Sequence, residues 1–254
     1  MKKISVVLAT FNEEKNLPRC LDSVKNLASE IVVVDGTSGD KTVEIAKEYG
    51  ARVIIRENPL IFHINKQKAI DAATMDWILQ LDADEIIDEV LSKEIKKAIE
   101  ENEFDGYRIP RKNYFLGRFL LKGGQYPDYT LRLYKRGKGH LPQKDVHEQA
   151  AVDGKVGYLK NALLHYPYKN LSDYIFKWNR YNNIFANQIK KEAGEAIFFK
   201  KLLMFLDYLL IKPIYWFILT FIRHKGFLDS WQGFVFSFFS SLRFPVSYVK
   251  YLIK

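Results

Sequence analysis

The first hundred residues of this 254-residue chain alternate between two hydrophobic periods, and this alternation limits the fold more than any other feature. Short apolar runs at Ile4–Thr10, Ile31–Val34, Arg52–Ile55 and Trp77–Leu81 predict strands. The stretches between and after them, Glu13–Lys25, Asp40–Tyr49, His63–Ala73 and Asp88–Glu101, predict helices. Leu17, Leu21 and Val24 mark one face of the first helix, while Asp40 is placed to cap the second and Gly50 to end it. Strands and helices joined this closely predict an α/β fold with a mixed, mostly parallel sheet between helices. Ligands of such sheets bind beyond the carboxyl ends of the strands. Here those ends are polar: Thr10–Glu14, Asp35–Asp40 and Asp82–Glu85.

Between 104 and 170 the pattern shifts to short segments such as Tyr107–Ile109, Tyr129–Tyr134 and Val156–Leu164, which read as strands and loops added to the sheet. Leu171–Ala193 predicts a polar, aromatic helix. Met1-Lys2-Lys3 followed by an apolar run faintly resembles a signal peptide, but Asn12-Glu13-Glu14 cuts the run short, so a buried first strand is expected. The single cysteine, Cys20, excludes a disulfide framework and a multi-cysteine zinc site. A net charge of +9 would suit a nucleic-acid binder, but the charge is divided along the chain. Residues 1–104 carry 14 basic and 20 acidic side chains, and residues 105–254 carry 25 and 10. The acidic first half therefore argues against nucleic acid as the partner.

The sharpest chemical signal is Asp82-Ala83-Asp84, directly after the fourth strand. Two carboxylates at i and i+2 on a strand end can converge on one hard divalent cation and leave room for phosphate oxygens, whereas the plain alternative is a solvated acidic turn. Asp35, at another strand end, could accept from a nucleobase imide or a ribose hydroxyl, or merely begin the turn Gly36–Gly39. His165 could complete a metal shell or serve as a hydrogen-bonded structural residue. Lys66, Lys68, Arg132 and Lys135 lie near the expected site, and Lys66 and Arg132 are candidates to neutralise a donor diphosphate.

Val6–Glu13, Ile31–Asp35 with Asp40-Lys41-Thr42, and Leu81–Glu85 together resemble the ordered signatures of family 2 glycosyltransferases. The resemblance implies the GT-A (nucleotide-diphospho-sugar transferase) fold and transfer of a sugar, with inversion, from a nucleotide-sugar such as a UDP-sugar. Asn58-Pro59, Asn65–Ala69, Gly123–Leu133 and Val146-His147-Glu148 are similar to the branch containing lipopolysaccharide-core β-1,4-glucosyltransferases. By that resemblance Thr10, Asn12 and Glu13 line the nucleotide pocket and Asp35 holds uracil or ribose. Asp82 and Asp84 serve the donor, Asp84 more directly by binding Mg2+ or Mn2+. Inversion requires a base opposite the leaving diphosphate, and the resemblance points to Glu148, with Asp145 and His147 as alternatives in the same loop.

The last 81 residues hold 22 aromatic side chains, and residues 197–254 carry 8 basic and 2 acidic ones. Residues 1–195 are expected to form the transferase, with a nucleotide-sugar half at 1–104 and an acceptor half at 105–195. Residues 196–254 are expected to form amphipathic helices that Pro213 and Pro245 kink or break. No stretch reaches the ~18 uncharged residues of a spanning helix, so the helices are expected to lie on an anionic membrane surface. A helical layer packed on the sheet or on another subunit is the alternative. The expected enzyme is cytoplasmic, peripheral on the inner membrane, with a lipid-linked glycan as acceptor. Its competitors are a polyprenyl-phosphate glycosyltransferase and a non-catalytic nucleotide-sugar-binding module.

Overall fold

In the computed structural model, which describes residues 2–59, 63–142, 150–194 and 198–253, the chain forms two compact units. The first comprises Met1–Lys112 and Asp128–His165, and the second Asn113–Pro127 and Tyr166–Lys254.

The first unit is built on β1 (Ile4–Thr10), α1 (Leu17–Val24), β2 (Glu30–Asp35), α2 (Thr42–Glu48), β3 (Arg52–Ile55), α3 (His63–Asp71) and β4 (Trp77–Leu81). β5 (Glu85–Ile86) and α4 (Glu89–Glu101) follow. The strands run β3-β2-β1-β4, all parallel, because successive strands are joined through helices that cross a sheet face. Alternate residues face opposite ways. Val6, Leu8, Val33, Leu79 and Leu81 pack with Leu17, Leu21, Ala46, Leu91 and Ile95 of α1, α2 and α4. Val7, Val32, Val34 and Ile78 pack with Ala69 and Ile70 of α3 on the other face. With both faces covered, β4 is buried at all five positions, which is why it reads as a continuous apolar run.

The sheet then turns antiparallel. β6 (Gly106–Phe115), β7 (Arg118–Leu120) and β8 (Asp128–Lys135) come next, and β8 inserts between β4 and β6, antiparallel to both. β9 (Gly139–His140) pairs with β10 (Ala151–Val152), and β11 (Val156–Tyr158) pairs parallel with β6. β12 (Leu163–His165) pairs antiparallel with β5, setting His165 opposite Glu85. The strand order reverses at β1, where β2 lies on one side and β4 on the other, so a crevice opens beyond Thr10 and Leu81.

In the second unit, residues 113–115 and β7 form a hairpin around Leu116 and Gly117, both at positive φ, as a tight primed turn requires. α5 (Leu171–Ala193) is capped by Asn170, whose side chain accepts from the Asp173 amide, and it packs on the last helix. The helical stretch from Phe198 to Arg223 comprises α6 (Phe198–Leu206), a π-helical segment Asp207–Ile211, α7 (Lys212–Phe217) and a second π segment, Ile218–Arg223. α8 (Ser230–Leu252) follows a 3₁₀ turn at Gly226–Asp229. Phe115, Leu120 and Tyr174 form the buried centre, packed by Tyr168, Trp178, Phe236 and Phe239. Asp229, 2% exposed, accepts from the amides of Leu121 and Lys122.

Neither proline breaks its helix: Pro213 lies where the π segment Asp207–Ile211 gives way to α7 within one helical stretch, and Pro245 lies inside α8. Counting uncharged residues gives no span of membrane length, yet Lys201–Arg223 is long and apolar enough to cross one, with mean hydropathy 1.7 and none of that window buried. Asp207 and Lys212, five residues apart in the π turn, meet at 2.8 Å, and the ammonium lies 3.5 Å from the Tyr208 ring centre. The two charges answer each other.

A close approach also fixes α8. A Cβ on Gly233 would collide with the Gly226 carbonyl oxygen, which is backbone and cannot rotate away. Gly233→Ala is therefore expected to destabilise the protein by ~1–3 kcal/mol, measured by chemical denaturation.

Candidate active site

A cleft of about 280 Å³ in the first unit is lined by Ala9, Thr10, Phe11, Glu13, Asn58, Asn65, Lys66, Asp82, Ala83, Asp84 and His165. It sits at the crevice defined by the ends of β1 and β4. The turn after β4 is closed by reciprocal bonds: the Glu85 amide donates to the Asp82 carbonyl at 3.0 Å, and the Asp82 amide donates to Glu85 Oε2 at 2.9 Å. This holds Asp82 and Asp84 at the cleft.

The two aspartates have different surroundings. Asp82 is bridged through one oxygen to the Lys66 ammonium and through the other, at 2.6 Å, to Arg132. Burial alone would raise the Asp82 pKa, but the Arg132 and Lys66 charges override it and hold the carboxyl well below the usual range. Arg132 also bonds Glu85 at 2.6 Å, and Glu85, 0% exposed, lies 3.5 Å from Arg111, which pairs with Asp128 at 2.7 Å. Three cations and three carboxylates thus alternate in one network. Asp84 stands outside it. Its partner is His165, with Nε2 3.5 Å from Oδ2, and both side chains are partly exposed at the cleft.

The ladder explains how these residues meet. His165 closes β12, and its register opposite Glu85 brings it beside Asp84, the residue before β5. Arg132 stands on β8, whose insertion next to β4 carries the guanidinium under Asp82. Arg132, expected at the donor diphosphate, lies beneath the cleft rather than in its wall, because a buried cation is held where carboxylates surround it. Asp82, expected among the metal ligands, has both oxygens engaged by cations.

The other side is built by β1 and β2. Thr10 and Asp35 are register partners, and the Thr10 hydroxyl donates to Asp35 at 2.9 Å. Asp35 is 0% exposed and also accepts from the Ser38 amide and hydroxyl at 2.8 and 2.6 Å. The carboxylate expected to meet a nucleoside therefore holds its own loop. Ser38 ties that loop to the next by accepting from the Asn12 amide at 2.8 Å, while Asn12 Oδ1 accepts from Gly39 at 2.9 Å. Glu13 accepts from Asn16 at 2.7 Å and lines the cleft. Asp40 accepts from the Thr42 amide at 3.0 Å, though the cap position belongs to Lys41.

Asn65 is a site residue that sequence reasoning missed. It is 4% exposed, its Nδ2 donates to the Glu57 carbonyl at 2.9 Å, and its Oδ1 has no partner. A buried, unsatisfied acceptor on a cleft wall suits a ligand N–H or O–H. Its place in the Asn65–Ala69 motif was the available signal. Glu85, Arg111 and Ser38 were missed too, because their importance lies in pairings between distant segments. Glu148, with Asp145 and His147, lies outside the described residues.

The chain belongs to glycosyl transferase family 2, whose profile residues 5–163 match, and it is an enzyme of that class with the GT-A fold. The lipopolysaccharide core biosynthesis glycosyltransferase LpsC of Rhizobium meliloti is 29% identical over 255 residues, covering 94% of this chain and 91% of that one. A glycosyltransferase of Rickettsia typhi is 28% identical over 251 residues, covering 92% and 82%. Among solved structures, S. aureus TarS 1-349 aligns over 98% of this chain and 91% of that one at 16% identity, with a TM-score of 0.51, a likeness of fold.

Proposed function

We propose that the protein transfers a hexose from a nucleotide-sugar, a UDP-sugar, with inversion, to a lipid-linked glycan such as a lipopolysaccharide core. Family membership supports the transfer, and the relative named for lipopolysaccharide core biosynthesis, similar over nearly the whole length of both chains, supports the acceptor class. The observation that carries the reading is Asp84, a cleft carboxylate outside the charge-balanced network and paired with an imidazole.

Asp84 and His165 fit a divalent cation. The Asp84 carboxylate suits Mg2+ or Mn2+, the His165 nitrogen favours Mn2+ of the two, and either ion keeps further positions for phosphate and water. When bound, the ion supplies positive charge against the departing diphosphate. Among the described residues no cluster of three or more His, Cys, Asp or Glu side chains exists, so phosphate oxygens would complete the shell. Lys66 and Asp82 shape the floor beneath the donor. Asn65 Oδ1 accepts from the nucleobase or a sugar hydroxyl, while Thr10, Asn12 and Glu13 form the wall that receives the nucleoside, with Asp35 bracing Thr10 from behind.

Glu148 takes the acceptor proton as the new bond forms. Glu148→Gln is expected to lower transfer by ~10²–10⁴-fold while donor affinity stays unchanged. Steady-state rates together with donor titration check this, and undiminished transfer would remove Glu148 from the role. The donor is tested with a panel of UDP-, GDP- and ADP-sugars and membrane extract; turnover of a UDP-sugar alone is expected.

In this reading residues 1–195 carry the transferase, and 196–254 associate with the cytoplasmic face of the inner membrane. Supporting it, Leu203, Leu210, Ile211, Ile214, Tyr215 and Ile218 are each more than half exposed. Sedimentation of the full chain with vesicles containing anionic lipid is expected, and Ile214→Glu with Ile218→Glu should reduce the bound fraction severalfold. Equal sedimentation of the double variant would count against membrane association through this helix.

A further inference from the structure

The second unit holds a cavity of about 220 Å³ lined by Tyr168 and residues of α5 and α8, walled by aromatic rings that include Trp178, Phe185 and Phe236. Its polar side chains include Asn182, Ser240 and Arg243. The Arg243 guanidinium carbon lies 4.6 Å from the Trp216 ring centre, 4.7 Å from Phe244 and 5.3 Å from Phe185. Its Nε is buried and without a hydrogen-bond partner. The carboxylates of these two helices are few: α8 has none, and α5 has Asp173 and Glu192, near its two ends. Asp173 pairs with Lys177 at 3.2 Å.

Asn182 is 1% exposed, and its Nδ2 also has no partner, although its Oδ1 accepts from Ser247 at 3.4 Å. Both unmet groups are donors, one of them cationic. A cation stacked on rings keeps its attraction to an anion, and Arg243, partly buried, has no carboxylate ion pair among the described residues. The cavity therefore suits a ligand that presents acceptor oxygens, negative charge and an apolar body. Tyr181 and Phe185, both in the cavity wall, are 52% and 37% exposed, which favours a ligand bearing acyl chains over a free anion.

We infer that the α5–α8 cavity binds the phosphate headgroup of a lipid, with Arg243 and the Asn182 amide as its donors. This goes beyond the transfer reaction, since occupancy needs neither donor nor turnover. Ser240 supplies a hydroxyl to the same oxygens, and the rings hold the glycerol and upper acyl carbons.

The test titrates dioctanoyl phosphatidic acid into the full-length protein in neutral detergent, following tryptophan emission. Trp178 lines the cavity and Trp216 stacks on Arg243, so two of the four tryptophans report on it. A saturable change is expected, with the apparent Kd at least tenfold weaker in Arg243→Gln. Asn182→Asp, which replaces the amide donor by a carboxylate, is expected to weaken binding similarly and decides the matter if Arg243→Gln does not fold. Dioctanoylglycerol should give no saturable change. Unchanged affinity in a folded variant, or equal binding of dioctanoylglycerol, overturns the inference. Displacement of the lipid by an equal concentration of inorganic phosphate overturns the choice of a lipid-borne phosphate. UDP-sugar turnover, measured on the same preparations, separates failure of this site from failure of the transferase reading.

Discussion

Asp84→Ala should abolish most sugar transfer, lowering kcat by about 1000-fold. The size follows from chemistry: a cation stabilising a departing diphosphate is worth several kcal/mol of transition-state energy, and each 1.36 kcal/mol is tenfold in rate. The specificity follows from the site. Asp82 is held by Lys66 and Arg132, and Glu85 by Arg132 and Arg111, so Asp84 is the carboxylate of this turn left for a ligand. Chelation of divalent ions should reduce the parental enzyme to a similar level, and adding Mn2+ or Mg2+ should restore the parent but not the variant. Turnover retained in Asp84→Ala with the parental metal response would remove Asp84 from the role. Because Asp84 is partly exposed and outside the buried network, the variant should melt close to the parent.

Arg132→Met should act in the opposite way, chiefly on stability. It leaves Glu85 fully buried beside the more distant Arg111 and deprives Asp82 of one of its two cations. Removing one member of a buried ion network typically costs ~3–5 kcal/mol, because the remaining charge keeps its desolvation penalty. For a chain of this size that is roughly 10 °C in Tm, read by calorimetry. The pH dependence has a definite sign. The Asp82 carboxyl has a folded pKa below its unfolded one, so its stabilisation is complete above the ordinary carboxylate range and is lost progressively as pH falls from there toward the depressed folded value. The variant should therefore lose less stability than the parent on acidification. An unchanged Tm together with an unchanged acid limb would show that the network is not a stabilising unit.

Much of the first unit was legible in the sequence because its signals are local. β3 and β4 begin and end where the apolar runs do, and α5 matches its periodicity. Asp88 caps α4 by accepting from Leu91 at 2.8 Å. α1 starts at Leu17 rather than Glu13, because Pro18 supplies the first-turn signal and Asn12 turns at positive φ before it. The cleft residues Thr10, Glu13, Lys66, Asp82, Asp84 and His165 were all named from the strand ends and motifs, and the fold brings them together. The partnerships were not legible. Whether Asp82 faces a metal or a guanidinium depends on β8 inserting beside β4, a pairing between segments some fifty residues apart. The tail differs for another reason: counting unbroken runs of uncharged residues rejects Lys201–Arg223, whose mean hydropathy stays high despite Asp207 and Lys212.

Cys20 completes the picture from below the site. It is the only thiol, it is 0% exposed, and its sulfur donates to the Asp82 carbonyl at 3.5 Å. Burial and the carboxylates of Glu85, Asp84, Asp82 and Glu13 push its pKa well above the usual thiol value. An inert thiol under the Asp82–Glu85 turn makes a built-in clock. A thiol reagent can consume it only when the packing of α1 and that turn opens, so the labelling rate counts those openings. A ligand bound in the cleft should slow that clock, giving its occupancy a measurement that needs neither acceptor nor product.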